Sequence, residues 1–374
     1  MKGVYLRLVI LLLMGTISVG AQAASVKIAA IYAKTGKATV SNSKSLRAVR
    51  FAVSEINRAG GVLGGPIELI ELDNRSSALY SRQMAEQAVK LGVSAVIGSM
   101  WSAHSLAMAP VLQAAKIPML TPSSTNPEIT RSRDYIFRST FTDTQQAKVM
   151  AWVASERLDA RTALVLTNSG SKYSLGLSEY FIRNFSQQRG HRYQQKFYRD
   201  TDKSFVGLLE KITKMPPDVI FLPGYAKDSG LLIKQARQLG LTASFLGGDG
   251  WGKNTIRQYA GDAVDGSYFT THWFDPKALE ALDQRLAKAG LNYSAESDLN
   301  ALAYDGMNIL AAAIERAGSR EPHKIRDALA STKNFQGVYG KISFDANGDA
   351  IKPVGISRFT RHSYELVDVY QEQR

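Results

Sequence analysis

The sequence predicts an α/β protein of two lobes, each built on a parallel sheet covered by helices. From residue 26 onward, short apolar runs alternate with amphipathic segments of helical length, as the strands and helices of βαβ units do. The same alternation restarts after residue 143, which indicates a second unit of the same kind. The chain has 374 residues, more than a single hydrophobic core usually organises.

Four strands and two helices are predicted in the first unit. The strands lie at residues 26–32, 67–73, 93–97 and 117–121, and the helices lie at residues 45–59 and 78–91. The third strand is nearly continuously apolar and contains Val93, Val96 and Ile97, a composition typical of a parallel strand buried on both faces. Gly60 and Gly61 end the first helix.

The second unit begins with a long helix predicted at residues 143–157. Its strands are predicted at residues 162–167, 192–198, 218–222, 243–246 and 264–270, and its other helices at residues 173–189, 205–214 and 226–239. Pro216 and Pro217 end the middle one of these helices, because proline cannot continue a helix.

The C-terminal part of the chain adds helices and a few closing strands. Helices are predicted at residues 278–288, 298–316 and 323–330, and strands at residues 341–344, 354–360 and 365–370. Because residues 276–332 contain no predicted strand, these helices must pack on a sheet formed elsewhere. No low-complexity linker divides the chain, so several ordered crossings are expected to join the two lobes.

The first two dozen residues are typical of a secretory signal peptide. Lys2 and Arg7 form a positive start, residues 8–14 are an apolar run too short to span a bilayer, and Ala21-Gln22-Ala23 is a small-residue cleavage site. We therefore predict a signal peptide at residues 1–23 and a soluble periplasmic protein. An uncleaved anchor is disfavoured because glycines interrupt the apolar stretch. The chain contains no cysteine, so it has neither a lipoprotein anchor site nor a disulfide.

The charge pattern argues against a nucleic-acid-binding protein. The formal net charge is +13, but the basic residues are spread along the chain and interrupted by acids. An exported chain without a clustered basic run or a recognition motif is not expected to bind nucleic acid. The basic excess fits solubility, an acidic partner or an anionic surface.

No pattern of catalysis or metal binding is found. The sequence has no Gly-x-Ser-x-Gly and no His-Glu-x-x-His motif, and its five histidines are far apart. Residues 345–349 resemble a calcium loop, but Ile356 stands where the bidentate glutamate belongs, so we interpret them as a turn. The glycines at residues 247–252 have the wrong spacing for a dinucleotide fingerprint. We expect no enzymatic activity, no metal and no cofactor.

Polar residues follow two predicted strands of the first unit, where ligands bind in parallel α/β sheets. Ser102 stands after the third strand, where the next helix is expected to begin. A helix N-terminus with a serine hydroxyl suits a carboxylate, although Ser102 alone is equally well explained as a helix cap. The loop after the fourth strand, which contains Ser123 and Thr125, is rich in hydroxyl groups and bounded by prolines. It is predicted to supply further donors.

The second unit repeats this placement. Tyr173, Tyr225 and Asp249 each follow a predicted strand. The glycines that flank Asp249 allow the backbone to approach a ligand closely, and the acid is suited to an ammonium group. Taken alone, Asp249 would more often be a turn residue.

The order of several motifs resembles the type I periplasmic binding proteins of the branched-chain amino acid (Leu/Ile/Val-binding) ABC transporter family. The matching segments are residues 47–63, 96–98, 121–128, 173–177 and 224–225. The resemblance covers nearly the whole chain after the leader. It implies two Rossmann-like lobes with parallel central sheets, joined by a three-crossing hinge.

On this resemblance we divide the chain into two lobes. Residues 24–142 and 273–345 are assigned to lobe 1, and residues 143–272 and 346–374 to lobe 2. The three crossings are expected near residues 142–144, 271–275 and 345–348.

The resemblance also implies roles for residues of this chain. In the family, residues at the positions of Ser102 and Thr125 hold an α-carboxylate, with help from backbone near Ser123. An acid at the position of Asp249 takes the α-ammonium group. The family commonly has glutamate there, so the shorter aspartate implies a water or a slightly different closure. Residues matching Tyr173 and Tyr225 line the second lobe.

One departure concerns the side-chain pocket. The aromatic residue that the family often carries in its first glycine-containing loop is replaced by Ser41, which implies a larger or more polar pocket. Trp101 and Trp251 are the candidate replacement walls, and ordinary packing is the alternative for both.

The resemblance implies a monomer that captures an amino acid and delivers it to ABC permease subunits in the inner membrane. A sensory or regulatory binding protein of the same fold is the alternative. Amides, urea-like compounds and small carboxylates are the alternative ligands.

Overall fold

The computed structural model describes residues 24–273, 275–291 and 298–371. The predicted signal peptide, residues 1–23, lies outside the described residues. Within the described part of the chain, no helix has both the length and the apolar character needed to cross a membrane.

Strands and helices alternate along most of the chain. The strands are β1 Val26–Tyr32, β2 Ile67–Asp73, β3 Ala95–Gly98, β4 Met119–Thr121, β5 Ile136–Arg138, β6 Thr162–Asn168, β7 Arg192–Tyr198, β8 Val219–Phe221, β9 Ser244–Gly247, β10 Tyr268–His272, β11 Phe335–Gly337, β12 Gly340–Phe344, β13 Ala350–Ile351, β14 Val354–Thr360 and β15 Ser363–Tyr370. The helices are α1 Thr39–Arg58, α2 Ala78–Lys90, α3 Ser102–Ala114, α4 Asp143–Trp152, α5 Lys172–Ser186, α6 Val206–Thr213, α7 Ala226–Gln238, α8 Arg257–Ala260, α9 Pro276–Lys288, α10 Asp298–Ala317 and α11 Pro322–Ala330.

A five-stranded parallel sheet organises the first lobe. Its order is β2-β1-β3-β4-β5, and every neighbouring pair is parallel. One face packs against α1, α9, α10 and α11 in a single apolar core, and the other face packs against α2 and α3. The predicted burial of the sheet on both faces is therefore confirmed.

A seven-stranded sheet organises the second lobe. Its order is β15-β14-β10-β9-β8-β6-β7. The strands from β10 to β7 are parallel, whereas β14 and β15 are antiparallel additions at one edge. Helices α6 and α7 cover one face, and α4 and α5 cover the other.

The strand predicted at residues 264–270 begins later than expected. Residues 261–264 form a 3₁₀ turn, and β10 starts at Tyr268. Gly261 and Gly266 both have positive φ values, of 58° and 80°, so the backbone turns twice before it can extend. The short strands β5, β11 and β13 were not predicted from the sequence.

The third crossing between the lobes lies later than the sequence predicts. Asp349 forms a bridge with Arg138 at the end of β5, and Ala350 in β13 is part of the first-lobe core. Residues 345–351 therefore pack with the first lobe, which corrects the expected crossing at residues 345–348. We now propose that this crossing lies at residues 352–353, and the rest of the predicted lobe division remains a prediction.

Candidate functional site

A cavity of about 210 Å³ lies between the two lobes. It is lined by every residue predicted as a ligand contact or pocket wall: Ser41, Trp101, Ser102, Ser123, Thr125, Tyr173, Tyr225, Asp249 and Trp251. We call this cavity the cleft. The larger and more open hollow between α2 and α3 contains none of these residues.

Helix α3 begins at Ser102, as predicted. The preceding residue, Trp101, is the N-cap and makes no side-chain capping hydrogen bond, so Ser102 is the first helical residue rather than the cap. Its hydroxyl is buried and accepts a hydrogen bond from the backbone N–H of Asn126 at 3.4 Å. This contact joins the start of α3 to the loop after β4.

The loop after β4 presents two buried hydroxyl groups to the cleft. Ser123 is 7% exposed, and its hydroxyl has no hydrogen-bond partner among the described residues. Thr125 is also buried, and its side chain lies close enough to Asp143 to lower the pKa of that carboxyl group. We call Ser102, Ser123 and Thr125 the first-lobe wall.

A buried arginine holds this loop in place. Arg138 is fully buried and donates hydrogen bonds to the backbone carbonyls of Ser124 at 3.1 Å and Asn126 at 2.7 Å. It also donates to the carboxylate of Asp349 at 2.8 Å and to the hydroxyl of Thr130 at 2.7 Å. The sequence reasoning missed Arg138, although its place at the end of an apolar segment was a signal.

Tyr173 positions Asp249 on the opposite side of the cleft. The Tyr173 hydroxyl donates to the Asp249 carboxylate at 3.0 Å and accepts from the N–H of Gly250 at 3.1 Å. A Cβ atom at Gly248 would lie 2.2 Å from the Tyr173 hydroxyl, so a side chain is excluded there. The glycines around Asp249 therefore make room for Tyr173, a role that the sequence reasoning had assigned to the ligand. We call Tyr173, Tyr225 and Asp249 the second-lobe wall.

The first two turns of α4 link both walls. The backbone N–H of Asp143 donates to the carbonyl of Thr125 at 2.8 Å. The side-chain oxygen of Gln146 accepts from the N–H of Asp249 at 3.0 Å and from the hydroxyl of Thr270. Neither Asp143 nor Gln146 was predicted, because only the tertiary fold brings this helix between the walls.

Burial sets the protonation of the groups beneath the cleft. The pKa of Asp143 is raised to about 8, mainly by burial; the nearby Asp249 adds to the rise, while Thr125 and Arg138 oppose it. Burial lowers the pKa of His272 well below its usual value, and Lys352 and Lys253 add to this effect. Asp143 is therefore largely protonated at pH 7, and His272, 3.9 Å from Asp249, is neutral.

Aromatic rings and one ion pair connect the lobes at the cleft. Trp101 stacks on Tyr225 with ring centroids 4.5 Å apart, and Tyr225 stacks on Tyr173 at 5.2 Å. The ammonium group of Lys37 lies 5.9 Å from the centroid of the Trp101 ring and pairs with Asp200 at 2.6 Å. Trp101 therefore lies at the contact between the lobes.

The other two predicted walls differ in character. Trp251 is fully buried and donates its indole N–H to the carbonyl of Leu222 at 2.9 Å. Its ring belongs to the second-lobe core, so ordinary packing accounts for most of its surface. Ser41 lies near the start of α1 and donates to the carbonyl of Ala38 at 3.1 Å. Lys37, Lys44, Lys227, Lys253, His272 and Leu302 also line the cleft and were not predicted.

Among the described residues, no cluster of His, Cys, Asp and Glu has the composition of a metal site. The side chain of Asp345 accepts hydrogen bonds from the N–H groups of Asn347 and Asp349, both at 2.9 Å. This segment is therefore a turn, as the sequence predicted.

A family model described as periplasmic binding protein matches residues 25–362. The chain belongs to the periplasmic binding protein family. It is similar to the leucine-, isoleucine-, valine-, threonine-, and alanine-binding protein of Pseudomonas aeruginosa, with 30% identity over 341 residues that cover 90% of each chain.

Two solved structures have the same fold over almost their whole length. The leucine binding protein LivK of Thermotoga maritima is 37% identical with a TM-score of 0.86, covering 92% of this chain and 99% of that one. LivJ of Streptococcus pneumoniae, in complex with isoleucine, is 29% identical with a TM-score of 0.85, covering 93% and 100%. The predicted family and the predicted type I periplasmic binding protein fold are both confirmed. Membership of this family implies a periplasmic protein that binds a small molecule.

Proposed function

We propose that this periplasmic binding protein captures an amino acid, branched-chain or related, and delivers it to the permease of an ABC transporter in the inner membrane. The observation that carries the proposal is the chemistry of the cleft. Asp249, held by Tyr173, lines the same cavity as the buried hydroxyls of Ser102 and Thr125. An α-amino acid carries the two groups that these walls complement.

The first-lobe wall suits the carboxylate. The first N–H groups of a helix have no acceptor within the helix, and the N-terminus attracts negative charge. In α3 these groups lie beside the hydroxyl of Ser102, and the hydroxyl of Ser123 has no partner among the described residues. A buried hydroxyl without a partner costs free energy, and a bound carboxylate would supply the missing acceptor.

The second-lobe wall suits the ammonium group. Asp249 is the one carboxylate among the cleft-lining residues that the structure describes, and its side chain is 14% exposed. The Tyr173 hydroxyl donates a hydrogen bond to one oxygen of the Asp249 carboxylate, which fixes the orientation of the carboxylate. An ammonium group placed against it would form a charge-assisted hydrogen bond.

The size of the cleft and the similar proteins agree with a small ligand. A volume of about 210 Å³ is below the roughly 300–1,000 Å³ of sites for drug-sized molecules. The similar Pseudomonas aeruginosa protein is named for five amino acids, and the similar LivJ holds isoleucine.

The first experiment is calorimetric titration of the purified protein with L-amino acids and with their amides and deamino acids. Asp249→Asn keeps the shape and removes the charge, so we expect at least about tenfold weaker binding of the cognate amino acid. Asp159→Asn, at an exposed position, is the control and should bind as the wild type does. Unchanged affinity in folded Asp249→Asn would contradict the amino-acid assignment.

The second experiment tests closure of the lobes. Because each wall holds only one end of the ligand, binding is expected to favour the closed arrangement, as hinge-closing proteins do. Saturating ligand should reduce the radius of gyration in small-angle scattering and raise the melting temperature. A tightly bound ligand that leaves the scattering profile unchanged would contradict ligand-driven closure.

A further inference from the structure

The cleft carries more positive charge than a simple amino acid needs. Four lysines line it, namely Lys37, Lys44, Lys227 and Lys253. Asp249 is the one acid among the described lining residues. A zwitterionic amino acid has no net charge, so it would not balance a lysine of this set that lacks an acidic partner.

The four lysines differ in what they contact. Lys37 is paired with Asp200 at 2.6 Å. Lys253 is buried, with its ammonium group 5.2 Å from the ring centroid of Tyr364. Lys227 is exposed at the rim of the cleft. Lys44 is half-buried and forms no hydrogen bond or ion pair with any residue that the structure describes.

The start of helix α1 forms one part of the cleft lining. Val40, Ser41 and Lys44 all line the cleft, and their spacing puts them on one face of α1. Ser41 is small and polar, so it leaves room beside the longer Lys44. This face is separate in sequence from both walls that we assign to the α-carboxylate and the α-ammonium group.

An unpaired ammonium group in a closing cleft is costly. Burial lowers the pKa of Lys44, and Arg47 adds to this effect, so its surroundings disfavour the charge. Closure around a ligand removes further water, and a charge without a partner then carries a desolvation penalty. A negative group on the ligand would offset that penalty and form a charge-assisted hydrogen bond.

We infer that the ligand is an amino acid with an acidic side chain, whose negative group pairs with Lys44 on α1. This inference rests on the proposed function, because Asp249 and the first-lobe wall must hold the α-amino acid part. Lys227 adds positive charge at the rim of the same cavity and favours the same ligand.

The test compares acids with their amides, which have almost the same shape. Calorimetric titration uses L-glutamate against L-glutamine, L-aspartate against L-asparagine, and L-leucine as the apolar reference. One of the two acids should bind at least about tenfold more tightly than its amide and than leucine, the effect of one charge-assisted contact. Lys44→Met, which keeps most of the unbranched side chain and removes the charge, should abolish this preference without weakening the binding of the amide.

The control is Lys234→Met, which removes one charge from an exposed position on α7. It should keep the preference for the acid, so that a general effect of net charge is separated from the contact with Lys44. A melting curve of each variant excludes a folding defect.

Two outcomes would overturn the inference. If leucine or the amides bind at least as tightly as the acids while Asp249→Asn still weakens them, the acidic side chain is wrong and the proposed function stands. If no α-amino acid binds the wild-type protein, both proposals fail together.

Discussion

The first-lobe wall of the cleft presents hydroxyl groups held by a buried arginine, whereas the second-lobe wall presents one carboxylate held by a tyrosine. Arg138 makes four hydrogen bonds, two of them to backbone carbonyls of the loop that carries Ser123 and Thr125. The carboxylate of Asp249 accepts from the hydroxyl of Tyr173, and its backbone N–H donates to the side chain of Gln146. Neutral donors set in a rigid frame suit an anion, and one oriented charge suits a cation. On our proposal, this difference lets the first-lobe wall bind the α-carboxylate and the second-lobe wall bind the α-ammonium group of an amino acid.

The largest expected effect on stability comes from removing Arg138, which holds the loop of the first-lobe wall. Arg138→Met removes a fully buried guanidinium, so Asp349 loses its ion-pair partner and the backbone carbonyls of Ser124 and Asn126 lose one donor each. Losing one partner of a buried pair typically costs about 3–5 kcal/mol, and the free energy of unfolding from urea titration should fall by that amount.

The matched control is Arg183→Met, whose ion pair with Glu179 is 3.7 Å long and exposed. Exposed pairs contribute about 0–1 kcal/mol, so this variant should unfold nearly as the wild type does. An equal loss of unfolding free energy in both variants would show that the buried hydrogen bonds of Arg138 do not stabilise the loop more than an exposed ion pair does.

The next effect comes from removing donors of the first-lobe wall while leaving its frame intact. In Ser102→Ala/Thr125→Ala we expect about hundredfold weaker binding of the cognate amino acid, because a hydrogen bond to a charged group contributes about 1.5–3 kcal/mol. Because both side chains are buried and the Ser102 hydroxyl also accepts from the N–H of Asn126, the melting temperature should fall moderately. The affinity is measured at a temperature at which the variant is folded. If methyl ester or amide analogues bind the wild type as tightly as the free acid, the carboxylate role is wrong.

A pH-dependent effect is expected from Asp143, which lies between the walls. Its pKa rises from 3.8 in the unfolded chain to about 8 in the folded protein. Between these values the folded protein keeps a proton that the unfolded chain releases, so stability falls as pH rises from about 4 to 8. One such group contributes a slope of at most about 1.4 kcal/mol per pH unit.

Asp143→Asn cannot titrate and should remove this slope. Its melting temperature relative to the wild type should therefore be higher at pH 8 than at pH 5. A difference that is the same at both pH values would mean that Asp143 is not protonated in the folded protein.

The smallest effect is expected from the contact between the lobes. Lys37→Met removes the ion pair with Asp200, in which the lysine side chain is 61% exposed. Exposed pairs are worth about 0.2–1 kcal/mol, so the ligand should dissociate at most about fivefold faster in a stopped-flow experiment. If Lys37→Met slows dissociation, the ion pair does not stabilise the closed arrangement.

The local periodicity of the sequence predicted most of the strands and helices. Strands β1, β2 and β7 have the predicted bounds, since runs of apolar or alternating residues mark extended segments. The three-residue strand β5 was missed because so short a run has no measurable period. The third crossing was misplaced because the contact between Arg138 and Asp349 spans 211 positions of sequence.

The sequence by itself determined which elements form and which polar residues follow the strands. Ser102, Thr125, Tyr173, Tyr225 and Asp249 are predicted as site residues because parallel strands end at one edge of a sheet and because their order resembles one family. These signals are local in the sequence, so they can be detected without knowledge of the fold.

Only the tertiary structure decided what holds those residues and what else faces them. Arg138 contacts Asp349, 211 positions away, and Gln146 contacts Asp249, 103 positions away. Asp143 lies between the two walls because the fold places the start of α4 there. The exposure of Lys44 to the cleft depends on how α1 packs against the first sheet. Burial, charge and hydrogen bonding at a site are properties of the assembled lobes. The free energy of a buried polar group depends on the solvent exclusion and the hydrogen-bond partners that all the surrounding elements provide.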